Sequence, residues 1–238
     1  MRYKDIPKLA DVLRPYVLIV PTEDVVSLPQ EVSRRYHVPL STATRAAYDL
    51  LRDESVIAFE QGTDAAVQFD PNNDSLTPDK VVASHLLTRL LRLQQLTTSG
   101  ELTSDTGEIK LFDVSARYDM LTDILETIRE EAGKYSAPVV IFTRFNRDVE
   151  LISELVMKVY GERTMQLTGS RDQHTAWQAG EERILLVNLA AGSEGVRLTR
   201  AADVIFWNLG YSLKQYDQAK RRCARYGQQS KVVRFYYV

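Results

Sequence analysis

The feature that most constrains the fold is a regular alternation of short apolar runs and helical stretches after Pro138. Five runs rich in β-branched and aromatic residues follow one another: PVVIFT, RTMQL, ILLVN, DVIFWN and VVRFYYV. The stretches between them that have helical character cover residues 147–160, 171–179 and 212–225. Short buried strands that alternate with helices are typical of a parallel sheet covered by helices on both faces. We therefore predict an α/β fold, with ligand-binding residues in the loops at the carboxyl ends of the strands.

The first half of the chain is predicted to be mainly helical. Apart from one strand at 31–39, helices are expected near residues 9–13, from Ser41 onward, over 78–98 and over 115–134. The run VIAFEQGTDAAVQFD is expected to form a hairpin that turns at Gly62. The hydrophilic run TTSGELTSDTGE is expected to form an exposed loop.

Composition and charge exclude several classes of protein. The 238 residues suffice for a real core, and a formal net charge of −2 argues against a protein that coats nucleic acid through bulk positive charge. The chain has no run of about 18 apolar residues and no apolar signal-peptide core, so we expect no membrane partner. The single cysteine, Cys223, excludes an internal disulfide. It fits a reducing compartment, which we expect to be the cytoplasm of a microbial cell or of a viral host cell.

The segment QAKRRCARYGQ, residues 218–228, carries the clearest chemical pattern. If it is helical, Gln218, Arg222 and Arg225 lie at i, i+4 and i+7 on one face, and Gly227 ends the helix. Guanidinium groups stay charged and present fixed forks of donors that suit phosphate oxygens. An ordinary solvated basic face is the alternative for any arginine-rich helix, but the spacing Q-x-x-x-R-x-x-R-x-G-Q is more specific than that.

The loops after two predicted strands carry groups that can bind a phosphate backbone. Thr143 and Arg144 follow VVIFT and offer a hydroxyl group and a positive charge. Gly169 and Ser170 follow RTMQL. There, Ser170 can cap the next helix, whose free N–H groups would attract an anion, although an ordinary capped turn has the same sequence.

The loop after ILLVN is rich in glycine. Gly192 and Gly195 allow a tight turn of exposed N–H groups that could cradle a phosphate or a sugar, and Thr199 follows in the same loop. A G-x-x-G pattern by itself is weak evidence for a phosphate-binding loop. The hypothesis therefore depends on the position of this loop in the order of motifs along the chain.

Taken in order, these motifs resemble those of Swi/Snf-type ATP-dependent DNA translocases, a branch of the superfamily-two helicases. The resemblance implies a RecA-like second motor lobe at residues 113–238, preceded by an inter-lobe linker and helical protrusion at residues 1–112. It implies that Arg222 and Arg225 are arginine fingers. The residues that it places near the nucleotide are Gln218, Gly192 and Gly195. The residues that it places along the backbone of double-stranded DNA are Thr143, Arg144, Gly169, Ser170 and Thr199.

Two motifs that nucleotide hydrolysis requires are missing from this sequence. The sequence contains no G-x-x-x-x-G-K-[ST] phosphate-binding loop. It also contains no Asp-Glu-x-His motif at the end of a strand, which would bind magnesium. Neither H-E-x-x-H nor Cys-x-x-Cys occurs, so we expect no metal site. The resemblance then implies that ATP and Mg²⁺ bind mainly to an N-terminal helicase lobe of the same protein, and that this chain alone hydrolyses no ATP.

Two other functions remain open from the sequence. One is a non-catalytic module, derived from a helicase lobe, that binds nucleic acid or a protein partner. The other is a different nucleotide-binding enzyme with a parallel sheet, such as a glycosyltransferase. That function would not explain why Gln218, Arg222 and Arg225 share one predicted helix face.

Overall fold

A six-stranded parallel sheet with helices on both faces forms the centre of the structure. The computed structural model describes residues 6–13, 15–17, 27–61, 78–103, 109–132, 137–191 and 195–238. The helices are α1 Ile6–Leu13, α2 Thr42–Gln61, α3 Pro78–Thr98, α4 Ser115–Ala132, α5 Asn146–Tyr160, α6 His174–Ala179 and α7 Leu213–Cys223. The strands are β1 Gln30–Arg35, β2 Glu101–Thr103, β3 Ile109–Leu111, β4 Val139–Thr143, β5 Thr164–Leu167, β6 Ile184–Asn188, β7 Asp203–Phe206 and β8 Val232–Tyr237. Within these ranges, no helix has the length and apolar character needed to cross a bilayer.

The sheet has the strand order β1-β8-β7-β4-β6-β5, and every neighbouring pair is parallel. Its five C-terminal strands are the five apolar runs of the sequence, so the predicted α/β fold is confirmed. The edge strand β1 comes from the first part of the chain and pairs with β8 over its full length, from Gln30 opposite Val232 to Arg35 opposite Tyr237. The division of the chain at residue 112 stays a prediction.

Alternate residues of the central strands pack into two hydrophobic clusters, one on each face of the sheet. In β4, Val140 and Phe142 belong to one cluster, and Val139 and Ile141 belong to the other. Helices α6 and α7 cover the first face, and helices α4 and α5 cover the second. Because both faces are covered, the central strands are continuous apolar runs without polar alternation.

Two predictions for the first half of the chain are wrong. Helix α2 continues through Gln61, so the first six residues of the predicted hairpin, 56–61, are helical. Extending an existing helix adds a hydrogen bond for each residue, whereas a new strand needs a partner. The remainder of that prediction, including Gly62, lies outside the described residues. Strand β2 lies within the run that was expected to form an exposed loop, and it pairs with β3 in the antiparallel direction.

Helix α7 ends earlier than its sequence predicts. The last helical residue is Cys223, and Ala224 leaves the helical conformation with φ −86° and ψ 75°. Arg225 and Gly227 therefore lie in the turn that follows the helix, where Gly227 adopts a left-handed conformation with φ 94°. A glycine accommodates that conformation without a clash of Cβ.

Candidate functional site

An open cleft of about 570 Å³ lies beside the C-terminal end of α7. Its lining brings together four of the residues that the sequence singled out: Gln218, Arg222, Arg225 and Gly195. The other residues that line it are Leu28, Glu31, Arg221, Ala224 and Tyr226. The predicted grouping of an amide, two guanidinium groups and a glycine loop around one cavity is therefore observed. Gly192, the other glycine of that loop, lies outside the described residues.

The two arginines reach the cleft by different routes. Arg222 projects from α7 one turn after Gln218, whereas Arg225 is exposed in the turn beyond the helix. The N–H of Arg225 donates to the carbonyl oxygen of Cys223 at 3.1 Å, which holds this turn tightly. The expectation of a single helical face is thus wrong for Arg225, although its side chain still lines the same cavity.

Hydrogen bonds fix Arg222 against the loop that follows β6. Its Nη1 donates to the carbonyl oxygen of Val196 at 3.0 Å, and the N–H of Leu198 donates to the Arg222 carbonyl oxygen at 3.2 Å. Burial and the nearby charge of Arg225 lower the pKa of the Arg222 guanidinium. Two neighbouring positive charges in a half-buried cleft favour an anion between them, because an anion relieves their repulsion.

Lys220 connects α7 to strand β1 beside the same cleft. Its Nζ lies 2.5 Å from Oε2 of Glu31 and 4.8 Å from the centre of the Phe235 ring. The acidic group at the margin of the cleft is thus paired with a lysine. Beneath the helix, Cys223 is fully buried, and burial raises the pKa of its thiol, so this cysteine is a packing residue and not a nucleophile.

The cleft and the carboxyl ends of the strands form two separate surfaces. Helix α7 starts after β7 and runs back along the sheet, so its last turn lies near the amino ends of the strands, where Leu28 precedes β1. A helix of 11 residues is about 16 Å long. The arginines therefore do not lie at the carboxyl ends, where ligand-binding residues were expected. Gly195, which follows β6 in the sequence, lines the same cleft as the arginines.

Arg144 lies at the carboxyl end of β4, half-buried. Its guanidinium carbon is 5.0 Å from the centre of the Tyr211 ring, and its Nη1 donates to Oε1 of Gln94 at 3.4 Å. Its backbone N–H donates to Oδ1 of Asn208 at 2.5 Å. The charged group is thus held at the carboxyl edge of the sheet, as the sequence predicted.

The two threonines predicted to contact DNA are buried. Thr143 has no exposed surface, and its Oγ1 has no hydrogen-bond partner among the described residues. Thr199 is 5% exposed. Strand β4 pairs with a neighbour on each side, so the protein covers the end of this strand. In this arrangement the protein covers both side chains almost completely.

Gly169 and Ser170 lie in the exposed loop after β5. A Cβ atom built on Gly169 would have no neighbour within 4 Å, so the space around this residue is open. The expectation that Ser170 caps the next helix is wrong, because α6 begins at His174, and its N–H donates to Oδ1 of Asp172 at 3.3 Å.

Residues 116–227 match the family model described as the helicase conserved C-terminal domain. The match covers 112 of the 238 residues of the chain. YwqA of Bacillus subtilis strain 168, whose name describes an ATP-dependent helicase or translocase, is 25% identical over 236 residues, which cover 95% of this chain and 24% of YwqA. The chain thus spans about a quarter of the length of this relative.

Solved structures of Swi2/Snf2 ATPases have the same fold as this helicase C-terminal domain. The C-terminal part of the Fun30 ATPase domain superposes with a TM-score of 0.61 at 15% identity, over 89% of this chain and 86% of that one. The Sulfolobus solfataricus SWI2/SNF2 ATPase core in complex with double-stranded DNA superposes with a TM-score of 0.62 at 17% identity, over 98% of this chain and 46% of that one. The predicted RecA-like fold and the resemblance to the C-terminal lobe of Swi/Snf-type proteins are confirmed.

Sequence reasoning missed a buried polar network behind the loops of this helicase domain. Asn208 donates from Nδ2 to Oδ2 of Asp148 at 2.6 Å, while its Oδ1 accepts from the backbone of Arg144. Asp148 is fully buried, and burial raises the pKa of its carboxyl group to about 6. The partners are 60 and 64 residues apart, so no local spacing could indicate them.

Gln94 is a further residue that the sequence did not reveal. It lies in the predicted protrusion helix α3, and its Nε2 donates to the carbonyl oxygen of Leu209 at 2.8 Å. The described part of the helicase domain contains no group of three His, Cys, Asp or Glu residues that could hold a metal ion.

Proposed function

We propose that this chain is the C-terminal half of an ATP-dependent DNA translocase and supplies its arginine fingers, Arg222 and Arg225. The observation that carries the proposal is the single open cleft shared by Gln218, Arg222, Arg225 and Gly195. Three of these groups are donors that suit the oxygens of a triphosphate, and the left-handed Gly195, with φ 60°, leaves backbone accessible beside them.

The chemical role of the fingers is to stabilise charge on the phosphoryl group during transfer. Arg222 is held by the Val196 carbonyl oxygen and lines the cleft, while Arg225 projects from the turn. An arginine finger contributes a factor of about 10³ to 10⁵ to the rate of phosphoryl transfer. Such a contribution needs a nucleotide that is held by other groups.

An N-terminal lobe of the same protein would hold that nucleotide. The sequence lacks a G-x-x-x-x-G-K-[ST] loop, and the chain covers only 24% of the length of YwqA. ATP and Mg²⁺ would bind mainly to the other lobe, and closure of the two lobes would bring Arg222 and Arg225 to the γ-phosphate. The isolated chain would hydrolyse no ATP.

The DNA contact would lie at the carboxyl ends of β4 and β5. Arg144 offers a charge there, and Gly169 and Ser170 offer an exposed loop, so these three residues would follow the phosphate backbone of duplex DNA. The buried Thr143 and Thr199 are left out of this contact. The fold is shared with a SWI2/SNF2 core that was solved with double-stranded DNA, which supports DNA as the partner.

The decisive experiment measures DNA-stimulated ATP hydrolysis by a protein in which this chain follows a lobe that bears the phosphate loop. We expect Arg225→Ala to lower kcat by about 10³ or more, because the transition state loses a charge partner. DNA affinity, measured by fluorescence anisotropy, should change by less than a factor of about 2.

The matched control is Lys214→Ala, which removes an exposed positive charge from the first turn of the same helix. It should leave kcat unchanged. Wild-type hydrolysis by Arg225→Ala would show that the finger assignment is wrong, and ATP hydrolysis by the isolated chain would exclude the two-lobe mechanism. DNA binding without any hydrolysis in the joined protein would favour the non-catalytic module.

A further inference from the structure

The C-terminal half of α3 is bound to the loop that leads into α7. Gln94 donates from Nε2 to the carbonyl oxygen of Leu209 at 2.8 Å. One helical turn earlier, the carbonyl oxygen of Leu90 accepts from the hydroxyl group of Tyr211 at 3.2 Å. Two contacts on one face of α3 thus hold residues 209–211, which directly precede Ser212, the N-cap of α7.

The same two side chains hold the guanidinium group of Arg144. Oε1 of Gln94 accepts from Nη1 of Arg144 at 3.4 Å, and the Tyr211 ring lies 5.0 Å from the guanidinium carbon. The loop passes close to this group, since a Cβ atom built on Gly210 would lie 3.7 Å from Arg144 Nη1. Arg144 has five N–H donors, so it can keep its bond to Gln94 and still bind a phosphate group.

We propose that Gln94 is a positioning residue that orients Arg144 for contact with a nucleic-acid phosphate and connects that contact to the start of α7. The proposal rests on the proposed function, in which Arg144 contacts DNA. The uncharged amide satisfies both partners, because it offers one acceptor to Arg144 and one donor to the Leu209 carbonyl oxygen. A carboxylate would place an acceptor against that carbonyl oxygen, and an aliphatic side chain would bind neither partner.

This arrangement gives the two surfaces of the lobe a physical connection. Arg144 lies at the carboxyl edge of the sheet, and Arg222 lies near the far end of α7. Gln94 bonds to the first surface and to the segment that caps α7, where Ser212 Oγ accepts from the N–H of Gln215 at 3.3 Å. A displacement of Arg144 by bound DNA would therefore pass through Gln94 to the start of the helix that carries the arginine.

The first experiment uses the two-lobed protein with Gln94→Leu, which keeps the size and helix propensity of the residue. We expect the DNA concentration for half-maximal stimulation of ATP hydrolysis to rise about tenfold, the effect of losing a hydrogen bond to a charged group. The rate without DNA and the KM for ATP should stay within a factor of about 2. The control is Gln95→Leu, because Gln95 is the neighbouring glutamine in the same helix and is also half-buried.

A double-mutant cycle separates positioning from a merely structural effect. If Gln94 acts through Arg144, then Gln94→Leu should have no further effect on DNA affinity in an Arg144→Ala background. A tenfold loss that persists in that background would overturn the proposal, as would an unchanged DNA requirement in Gln94→Leu.

A second measurement does not depend on hydrolysis. In the 238-residue chain, NMR order parameters of the Arg144 Nε–H group should fall in Gln94→Leu and stay unchanged in Gln95→Leu. Equal order parameters in all three proteins would overturn the positioning role even if the joined protein hydrolyses ATP. If the joined protein hydrolyses no ATP but Arg144 becomes mobile in Gln94→Leu, the result would count against the proposed function and not against the positioning role of Gln94.

Discussion

Asp148 is a buried acid whose neighbours are polar but do not fully compensate its charge. Asn208 donates to its Oδ2 at 2.6 Å, and the positive charge of Arg117 lowers the pKa of the carboxyl group, but burial dominates and raises that pKa from 3.8 to about 6. Thr98 and Trp207 also favour the charged form. The folded state therefore holds the Asp148 proton more tightly than the unfolded state does.

The pKa of Asp148 predicts an unusual dependence of stability on pH. Its contribution to the free energy of unfolding is largest below the unfolded pKa near 4, and it is lost as the pH rises toward the folded pKa of about 6. A shift of two pKa units corresponds to about 3 kcal/mol. Asp148→Asn keeps an acceptor for Asn208 but cannot ionise, so it should abolish this loss and be more stable than wild type at pH 7.5.

Urea unfolding at pH 4.5, 6.0 and 7.5 tests the prediction for Asp148→Asn. The control is Asp119→Asn, which removes an exposed carboxylate from the adjacent helix α4. A wild-type pH dependence in Asp148→Asn would show that the buried carboxyl group does not set it.

At the scale of elements, the junction between α3 and β2 depends on Gly100. This residue has φ 74°, and a Cβ atom at its position would lie 2.3 Å from the carbonyl oxygen of Phe112. The N–H of Phe112 donates to the Gly100 carbonyl oxygen at 2.8 Å, which brings the two backbones together. The close approach allows the chain to turn directly from α3 into the β2–β3 pair.

Gly100→Ala should therefore lower the free energy of unfolding by about 3 kcal/mol, because backbone strain adds to a steric clash. Gly161→Ala is the matched control, since Gly161 has φ 65° but no atom within 4 Å of an added Cβ. It should cost about 1 kcal/mol from strain alone. Equal losses in the two variants, measured by urea unfolding, would show that the clash at Gly100 is relieved by small backbone shifts.

At the scale of the whole molecule, two ion pairs of Arg234 join strands β7 and β8 to helix α4. Asp203 is fully buried and accepts from Nε and Nη2 of Arg234 at 2.6 and 2.7 Å, and from the hydroxyl group of Tyr236 at 3.0 Å. Nη1 of Arg234 also lies 3.4 Å from Glu131 of α4. These contacts hold β8 in place, and β8 in turn carries the edge strand β1.

Asp203→Asn should lower the free energy of unfolding by about 3 kcal/mol, because Arg234 loses its buried carboxylate partner. This value is at the lower end of the usual loss of stability for a broken buried ion pair. The reason is that 27% of the Arg234 side chain is exposed, so water can solvate its charge. Thermal and urea unfolding measure the loss, with Asp123→Asn on the exposed face of α4 as the control. Equal stability of Asp203→Asn and wild type would mean that packing alone holds β7 and β8.

The sequence by itself determined the five C-terminal strands, since β-branched apolar runs with covered faces have few other stable arrangements. It also placed Gln218 and Arg222 together, because their spacing is one helical turn. Tertiary structure decided the rest of the site: it moved Arg225 into a turn, buried Thr143, and paired Arg144 with Gln94. It also added β1 to the sheet beside β8. The spacing of residues along the chain reveals the period of a helix or a strand. Contacts between residues 50 or more positions apart form only when the helices and strands pack together.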